Sequence, residues 1–188
     1  MNVKPLSLQL IAILALGMAG CAGLDSADRD FPYWLPPVGT EVELKEPLEV
    51  RPLSARVFLQ QGAVVPKTGL NLYLPSCTFA VTQVFEDRSQ TIQPDSFQVV
   101  RVTGQREEVV QQAPARYAAA YLAGGGISGG GSTMVMHLVH LWLESPKQPE
   151  VRRLSCRGAL DDPPLANRPS IAEMGQALGS IAELHLPE

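Results

Sequence analysis

The sequence is poor in aromatic residues, in cysteine and in charge of either sign, and it has no run of basic residues. Of its 188 residues 6% are aromatic and 18% are charged, while 45% are hydrophobic. Fifteen Lys and Arg residues stand against nineteen Asp and Glu residues, which gives a net charge of −4. Proteins that bind nucleic acids need clustered cations to neutralise phosphates, so we expect no nucleic-acid partner. The length and the hydrophobic content suit one compact domain.

Long helices are not expected either, because the chain contains sixteen glycines and sixteen prolines. Both residues favour turns and interrupt helices. The pattern of apolar and polar residues predicts short strands at 56–60, 70–74, 77–85, 96–103, 134–143 and 150–156. We therefore predict a mainly β fold, an antiparallel sheet or small sandwich with one C-terminal helix, and keep an α+β fold as the alternative.

The first twenty residues have the layout of a secretory signal peptide. Lys4 supplies a positive charge, residues 6–18 are mostly apolar, and the small residues Ala19 and Gly20 follow. The apolar run is too short to cross a bilayer as a helix, which needs roughly 20 such residues. Residues 1–20 are therefore predicted to be a targeting segment rather than a transmembrane anchor.

The end of this segment, Met18-Ala19-Gly20-Cys21, resembles the lipobox of bacterial lipoproteins. In that class the cysteine is acylated, carries palmitate and becomes the first residue of the mature chain. Ala22 follows the cysteine, and in the lipoprotein class a residue other than Asp at this position implies sorting to the outer membrane. The resemblance covers the leader alone, and it implies a periplasm-facing protein attached to the outer membrane through Cys21.

Two cysteines remain once Cys21 is assigned to the lipid, namely Cys77 and Cys156. Cysteines in an oxidising compartment such as the periplasm commonly pair. We therefore predict a structural disulfide between them. Redox enzymes place both sulfurs in one Cys-x-x-Cys turn, and no such spacing occurs here, so a redox centre is not expected.

The rest of the chain divides into a tether and one domain. Residues 21–52 contain five prolines, which disfavour both helices and central strands, and we interpret them as a Pro-rich tether. Residues 53–188 are the predicted β-rich domain. Within it, residues 104–133 contain two glycine triplets and are predicted to form a Gly-rich loop.

One helix is predicted near the C-terminus. Ser170 and Glu173 have the spacing of a capping box, in which each residue bonds the backbone of the other. Met174, Leu178 and Ile181 follow at a spacing that places them on one helical face. The pattern predicts a helix over about 170–184, packed on the sheet.

The glycine-rich stretch includes a match to a catalytic motif. Residues 126–130 read Gly-x-Ser-x-Gly around Ser128, and the order Ser128, then Asp161 or Asp162, then His185 is that of the α/β-hydrolase class. The motif works only as a strained turn between a buried strand and a helix. Glycine triplets flank it here, so we expect no catalytic role for Ser128.

His137, His140 and Glu144 form the second chemical candidate. On a helix this spacing would put two imidazoles and a carboxylate on one face, where they could bind a metal. On a strand neighbouring side chains alternate between faces, and the two histidines would point apart. Gly and Pro clusters bound this ten-residue run, which favours a strand, so neither a metal nor a cofactor is expected.

These observations together favour a binding or envelope-assembly module without catalytic activity. Its expected contacts are the membrane, through the lipid on Cys21, and a protein of the cell envelope. The alternative is a periplasmic hydrolase that uses Ser128, or a metal site at His137, His140 and Glu144.

Overall fold

The computed structural model describes residues 35–110 and 133–187. These residues form ten strands and one α-helix. The strands are β1 (Glu41–Leu44), β2 (Leu48–Val50), β3 (Arg56–Gln60), β4 (Ala63–Val65), β5 (Ser76–Val81), β6 (Gln90–Ile92), β7 (Asp95–Val110), β8 (Thr133–Glu144), β9 (Val151–Arg157) and β10 (Ala182–His185). The helix is α1 (Ile171–Leu178), and a short 3-10 turn spans Lys67–Gly69. In these two segments no helix has the length and apolar character needed to span a bilayer.

Eight of the strands form one antiparallel sheet in the order β10-β1-β7-β8-β9-β5-β3-β4, and β2 pairs with β6 in a separate two-stranded sheet. The longest pairing joins β7 to β8, from Gln98 opposite Glu144 to Val110 opposite Thr133. The predicted mainly β fold with a C-terminal helix is confirmed.

The core lies on one face of the large sheet, called the inner face. Alternate side chains of the strands point to this face and form the core. Val42 and Leu44 of β1 are buried there, as are Phe79 of β5 and Phe97 of β7. The rings of Phe79 and Phe97 pack 6.5 Å apart. Helix α1 and the β2–β6 sheet contribute further buried side chains: Leu48, Val50, Ile92, Met174, Ala177 and Leu178.

The predicted disulfide is confirmed. Cys77 and Cys156 lie directly opposite each other in the β5–β9 pairing and are joined by a disulfide bond. Both are fully buried, and the sulfur of Cys77 lies under α1, 3.9 Å from the carbonyl oxygen of Met174. The bond therefore joins two central strands of the sheet beneath the helix.

The helix begins as predicted and ends earlier. The Ser170 hydroxyl accepts a hydrogen bond from the Glu173 amide at 3.2 Å, and the Ser170 amide donates to the Glu173 carboxylate at 2.7 Å. The helix stops at Leu178, and the predicted extension to residue 184 is wrong. Gly179 adopts a φ of 60°, which ends the helix, and β10 then pairs with β1.

The predicted tether is also too long. β1 and β2 lie within residues 21–52, and β1 is paired on both sides, by β10 and β7. The domain therefore begins before residue 53. Pro47 lies between the two strands and Pro52 after them, so neither proline removes a hydrogen bond from the sheet.

Three further predictions concern strand limits. The predicted loop at 104–133 is wrong over its first residues, because β7 continues to Val110. Pairing with β8 satisfies the backbone hydrogen bonds of this polar segment.

The predicted strand at 70–74 is a turn instead, held by reciprocal hydrogen bonds between the Gln60 side chain and the Asn71 backbone at 2.9 and 3.0 Å. The strand predicted at 77–85 ends at Val81. The other four predicted strands are confirmed within one or two residues at each end, apart from the extension of β7.

Candidate functional site

The second face of the large sheet, called the outer face, carries polar and basic side chains in rows across the strands. The register of β3, β5, β9, β8 and β7 sets these rows. One row contains Arg56, Ala80, Arg153, Trp142 and Arg101. The next contains Phe58, Thr78, Ser155, His140 and Thr103, and a third contains Ser76, Arg157, Leu138 and Gln105.

A groove of about 460 Å³ lies on this face, between the strands and the segment 67–72. We call it the outer groove. Its basic lining residues are Arg56, Lys67, Arg153 and Arg157. Its apolar lining residues are Phe58, Leu70, Leu72, Ala80, Met136 and Leu138, and its remaining lining residues are Thr78, Gln105, Glu107, His140 and Ser155.

Among the described residues, the outer groove holds more positive than negative charge. Among those residues its only lining carboxylate is Glu107, and none of its four basic groups takes part in a salt bridge. Burial lowers the pKa of Arg153, and repulsion from Arg56 and Arg152 lowers it further. Although the chain is net acidic, basic side chains that repel one another therefore lie together in the outer groove.

Arg157 presents a hydrogen-bond donor that the rest of the described chain leaves unused. Its Nε donates to the Ser76 hydroxyl at 2.6 Å, which fixes the plane of the guanidinium. Its Nη2 is buried and has no hydrogen-bond partner among the described residues. Burial lowers the pKa of Arg157, although the charge of Glu107 opposes this effect. A buried, unpaired donor is costly, and Arg157 is also one of the residues that line the groove.

His140 lies at the centre of a hydrogen-bonded chain across the groove floor. Its Nε2 lies 2.9 Å from Gln105 Oε1, and Gln105 Nε2 donates to Glu107. Since Gln105 Oε1 can only accept, the imidazole proton is on Nε2, and Nδ1 accepts from the Ser155 hydroxyl at 2.9 Å. Burial and the charges of Arg153 and Arg56 lower the pKa of His140. The ring is therefore a neutral part of the floor.

Within residues 35–110 and 133–187, the Ser155–His140 contact is not accompanied by an oxyanion site. Ser155 lies in the middle of β9, which is paired with β5 on one side and β8 on the other. The backbone N–H groups around it point along the sheet and not toward an oxyanion above the face. The described backbone around Ser155 therefore does not form an oxyanion site.

A second basic feature surrounds Trp142, at one end of the outer face. The guanidinium carbons of Arg101, Arg152 and Arg153 lie 4.0, 5.0 and 5.3 Å from the ring centroid, within cation–π range. We call Trp142 and these three arginines the Trp142 collar.

Two β-bulges build the collar. The β7–β8 register leaves Val100 as an extra residue beside Arg101, and the β5–β9 register leaves Arg152 as an extra residue beside Arg153. Bulges bend a strand and change the direction of its side chains. Here they place arginines on both sides of Trp142.

The predicted metal alternative is wrong. His137, His140 and Glu144 all lie on β8, where His137 points to the inner face and His140 to the outer face, so alternation separates them. In addition, hydrogen bonds occupy both ring nitrogens of His140. Ser128 and Cys21 lie outside the described residues.

In the hydrolase order considered above, Ser128 is followed by Asp161 or Asp162 and then by His185. The two acidic residues and the histidine lie in different parts of the fold. Asp161 bridges to Val135 of β8, and Asp162 follows it in a turn. His185 lies on β10 at the sheet edge, 3.0 Å from a Glu43 oxygen. Strands β10 and β8 are separated by β1 and β7 in the sheet.

One group of residues in the described chain has metal-ligand spacing, consisting of Glu43, Glu183 and His185. The Lys45 ammonium hydrogen-bonds to Glu183 and lies 3.9 Å from a Glu43 oxygen. A cation of the chain therefore already pairs with both carboxylates of this exposed edge, which we interpret as an ion-pair network.

Sequence reasoning missed the outer groove. The alternation Arg153-x-Ser155-x-Arg157 on a strand places these three side chains on one face, and this was the available signal. Arg56 and Lys67 come from distant parts of the chain and could not be added without the register. Comparison of the chain with protein-family models, with curated proteins and with solved structures finds no match.

Proposed function

We propose that this protein is a lipid-anchored, non-catalytic binding protein of the bacterial envelope, and that its outer groove takes an anionic ligand with an apolar part. One observation carries the proposal. Four basic side chains line the groove, and none of them is salt-bridged within the described parts of the chain. Such a site favours a ligand that brings its own negative charge.

The guanidinium groups favour a phosphate or carboxylate as the charged part. Arginine binds both through paired N–H donors, and Arg56, Arg153 and Arg157 line the groove. The apolar residues Leu138 and Met136 continue the groove away from Arg153 along β8. An alkyl or acyl group attached to the anion would bury its surface there.

The cellular location in this proposal rests on the N-terminal leader, residues 1–20, and on the cysteine that follows it. The lipobox-like sequence at Cys21 supports a palmitate-bearing N-terminus and a periplasm-facing position on the outer membrane. A groove selective for anionic amphiphiles suits such a place, because lipids and their fragments are present there.

Calorimetric titration of the full chain in a nonionic detergent tests the proposal, with hexyl phosphate, inorganic phosphate and hexanol as probes. We expect hexyl phosphate to bind at least about tenfold more tightly than inorganic phosphate, since each buried methylene adds binding energy. Hexanol should not bind. Arg157→Gln should weaken hexyl phosphate about tenfold or more, because it removes charge-assisted bonds.

Two variants control this measurement. Arg56→Gln changes an exposed groove residue and should weaken binding without altering the melting temperature. Arg88→Gln removes an arginine that stacks on Phe85 outside the groove lining and should leave binding unchanged. Absence of hexyl phosphate binding would refute the anion site. Release of hexanol, or labelling of Ser128 or Ser155 by a fluorophosphonate, would favour the hydrolase alternative.

A further inference from the structure

We infer that the Trp142 collar is a docking surface for the phosphate groups of an anionic lipid bilayer. The inference uses a different set of side chains from the outer groove, with only Arg153 in common, and it rests on the lipid anchor of the proposed function. Arg101 and Arg152 are exposed, and no salt bridge within the described chain neutralises either of them. Their guanidinium groups are held over the Trp142 ring and remain able to donate to phosphate oxygens.

Exposed apolar side chains accompany these cations. Val100 is the extra residue of the β7 bulge and is 42% exposed, and Val38 is 61% exposed. The backbones next to the two valines run side by side, because the Gly39 amide donates to the Val99 carbonyl at 2.8 Å. Arginine, tryptophan and small apolar groups in one patch suit the boundary between lipid headgroups and acyl chains.

The path of the chain brings this patch toward the membrane. The described chain starts at Leu35, and residues 39 and 40 bond to Val99, two positions from Arg101. An anchor at Cys21 therefore joins the fold beside the collar. The stretch from Cys21 to Leu35 spans at most about 50 Å even when fully extended, so the anchor keeps the start of the domain within that distance of the bilayer.

The net charge of the protein favours one orientation of the domain on an anionic bilayer. The chain carries a net charge of −4, so an anionic surface repels it as a whole. Attraction is confined to places where arginines outnumber the carboxylates beside them, and each basic residue close to an anionic bilayer contributes about fivefold to binding. At the collar three arginines surround Trp142, and Glu144 is the one carboxylate among the described residues that line the same concavity.

Fluorescence quenching of the acylated full chain tests the inference. Trp34→Phe leaves Trp142 as the remaining tryptophan. The protein is inserted into vesicles of phosphatidylcholine alone or mixed with phosphatidylglycerol, each containing a lipid with a spin label in its headgroup. We expect stronger Trp142 quenching in the anionic vesicles and a return to the neutral-vesicle level at high salt.

Charge reversal identifies the residues responsible. Arg101→Glu with Arg152→Glu should reduce the extra quenching to the level of neutral vesicles. Arg51→Glu with Arg88→Glu makes the same change in net charge at exposed positions outside the collar and should preserve it. Loss of quenching in both pairs of variants would overturn the inference, because net charge would then explain the effect.

Flotation of the same vesicles separates the two proposals. Protein that floats with both vesicle types but shows equal quenching overturns the docking surface and leaves the anchor intact. Protein that floats with neither overturns the anchor and the docking surface together. If millimolar inorganic phosphate changes Trp142 emission without any lipid dependence, the collar is a site for free phosphate and the membrane assignment is wrong.

Discussion

Gly62 and Gly179 bring two backbones into contact where the β3–β4 turn meets the end of α1. A Cβ on Gly179 would lie 2.3 Å from the Gly62 Cα, and a Cβ on Gly62 would lie 3.2 Å from the Gly179 Cα. Both residues have positive φ, 72° and 60°. The Gly62 amide also donates to the Ala177 carbonyl at 3.2 Å. This contact attaches the helix to the edge hairpin of the sheet.

Gly179→Ala should therefore destabilise the protein by about 2 kcal/mol or more, since the new methyl group meets backbone and the φ is strained. Gly175→Ala is the matched control. It adds the same methyl group inside the same helix, where nothing lies within 4 Å, and should stabilise by about 0.5–1 kcal/mol. Urea denaturation gives both values, and equal effects at the two positions would contradict the contact.

The disulfide should contribute strongly to stability. It closes a loop with a sequence separation of 79, for which the chain-entropy model gives about 4–5 kcal/mol. Cys77→Ala with Cys156→Ala should lower the melting temperature and the denaturant midpoint. Mass mapping without reduction should recover the joined peptides, and two alkylatable thiols in the native protein would contradict the bond.

Stability should fall as the pH drops through the ordinary histidine range. Burial and nearby arginines lower the pKa of His140 and of His137. Below the ordinary histidine pKa of 6.5, these histidines therefore bind more protons in the unfolded chain than in the folded chain. The unfolding free energy consequently decreases toward acid pH. In His140→Gln this decrease should be smaller. Denaturation series at pH 8 and pH 5 of the original protein and of His140→Gln measure it. An unchanged slope in His140→Gln would contradict the buried neutral imidazole.

Anchoring should depend on Cys21. Cys21→Ser removes the thiol that carries the lipid, and we expect loss of palmitate labelling and release of the protein from membrane fractions. Labelling of the protein with radioactive palmitate, followed by membrane fractionation, tests this. Palmitate on the Cys21→Ser protein would show that the lipid is attached elsewhere.

Deletion of residues 124–131, which include Ser128, should leave the fold intact. Val110 and Thr133 are paired, so the ends of the connection between β7 and β8 are already adjacent, and the residues that remain can still join them. A shorter connection changes the closure free energy by only about 0.6 kcal/mol per halving. The melting temperature should therefore change little, and unfolding of the deletion variant would show that the segment is a structural part of the domain.

Local patterns in the sequence were sufficient for some elements. The capping box at Ser170 and Glu173 predicted the start of α1, because both of its hydrogen bonds are local. The pattern of apolar and polar residues predicted β3 and β9, and the Gly and Pro clusters that bound residues 134–143 predicted β8. The same reasoning failed at residues 70–74, where an alternating pattern forms a turn attached to Gln60, eleven residues earlier in the sequence.

The sequence by itself determined that the chain is β-rich, that one short helix starts after Ser170, and that Cys77 and Cys156 are available to pair. Only the tertiary structure decided which side chains share a face. Arg56, Arg153 and Arg157 meet because β9 lies beside β5 and β5 beside β3, and two bulges aim arginines at Trp142. Strand order and register depend on the whole sheet, so no local pattern could supply them.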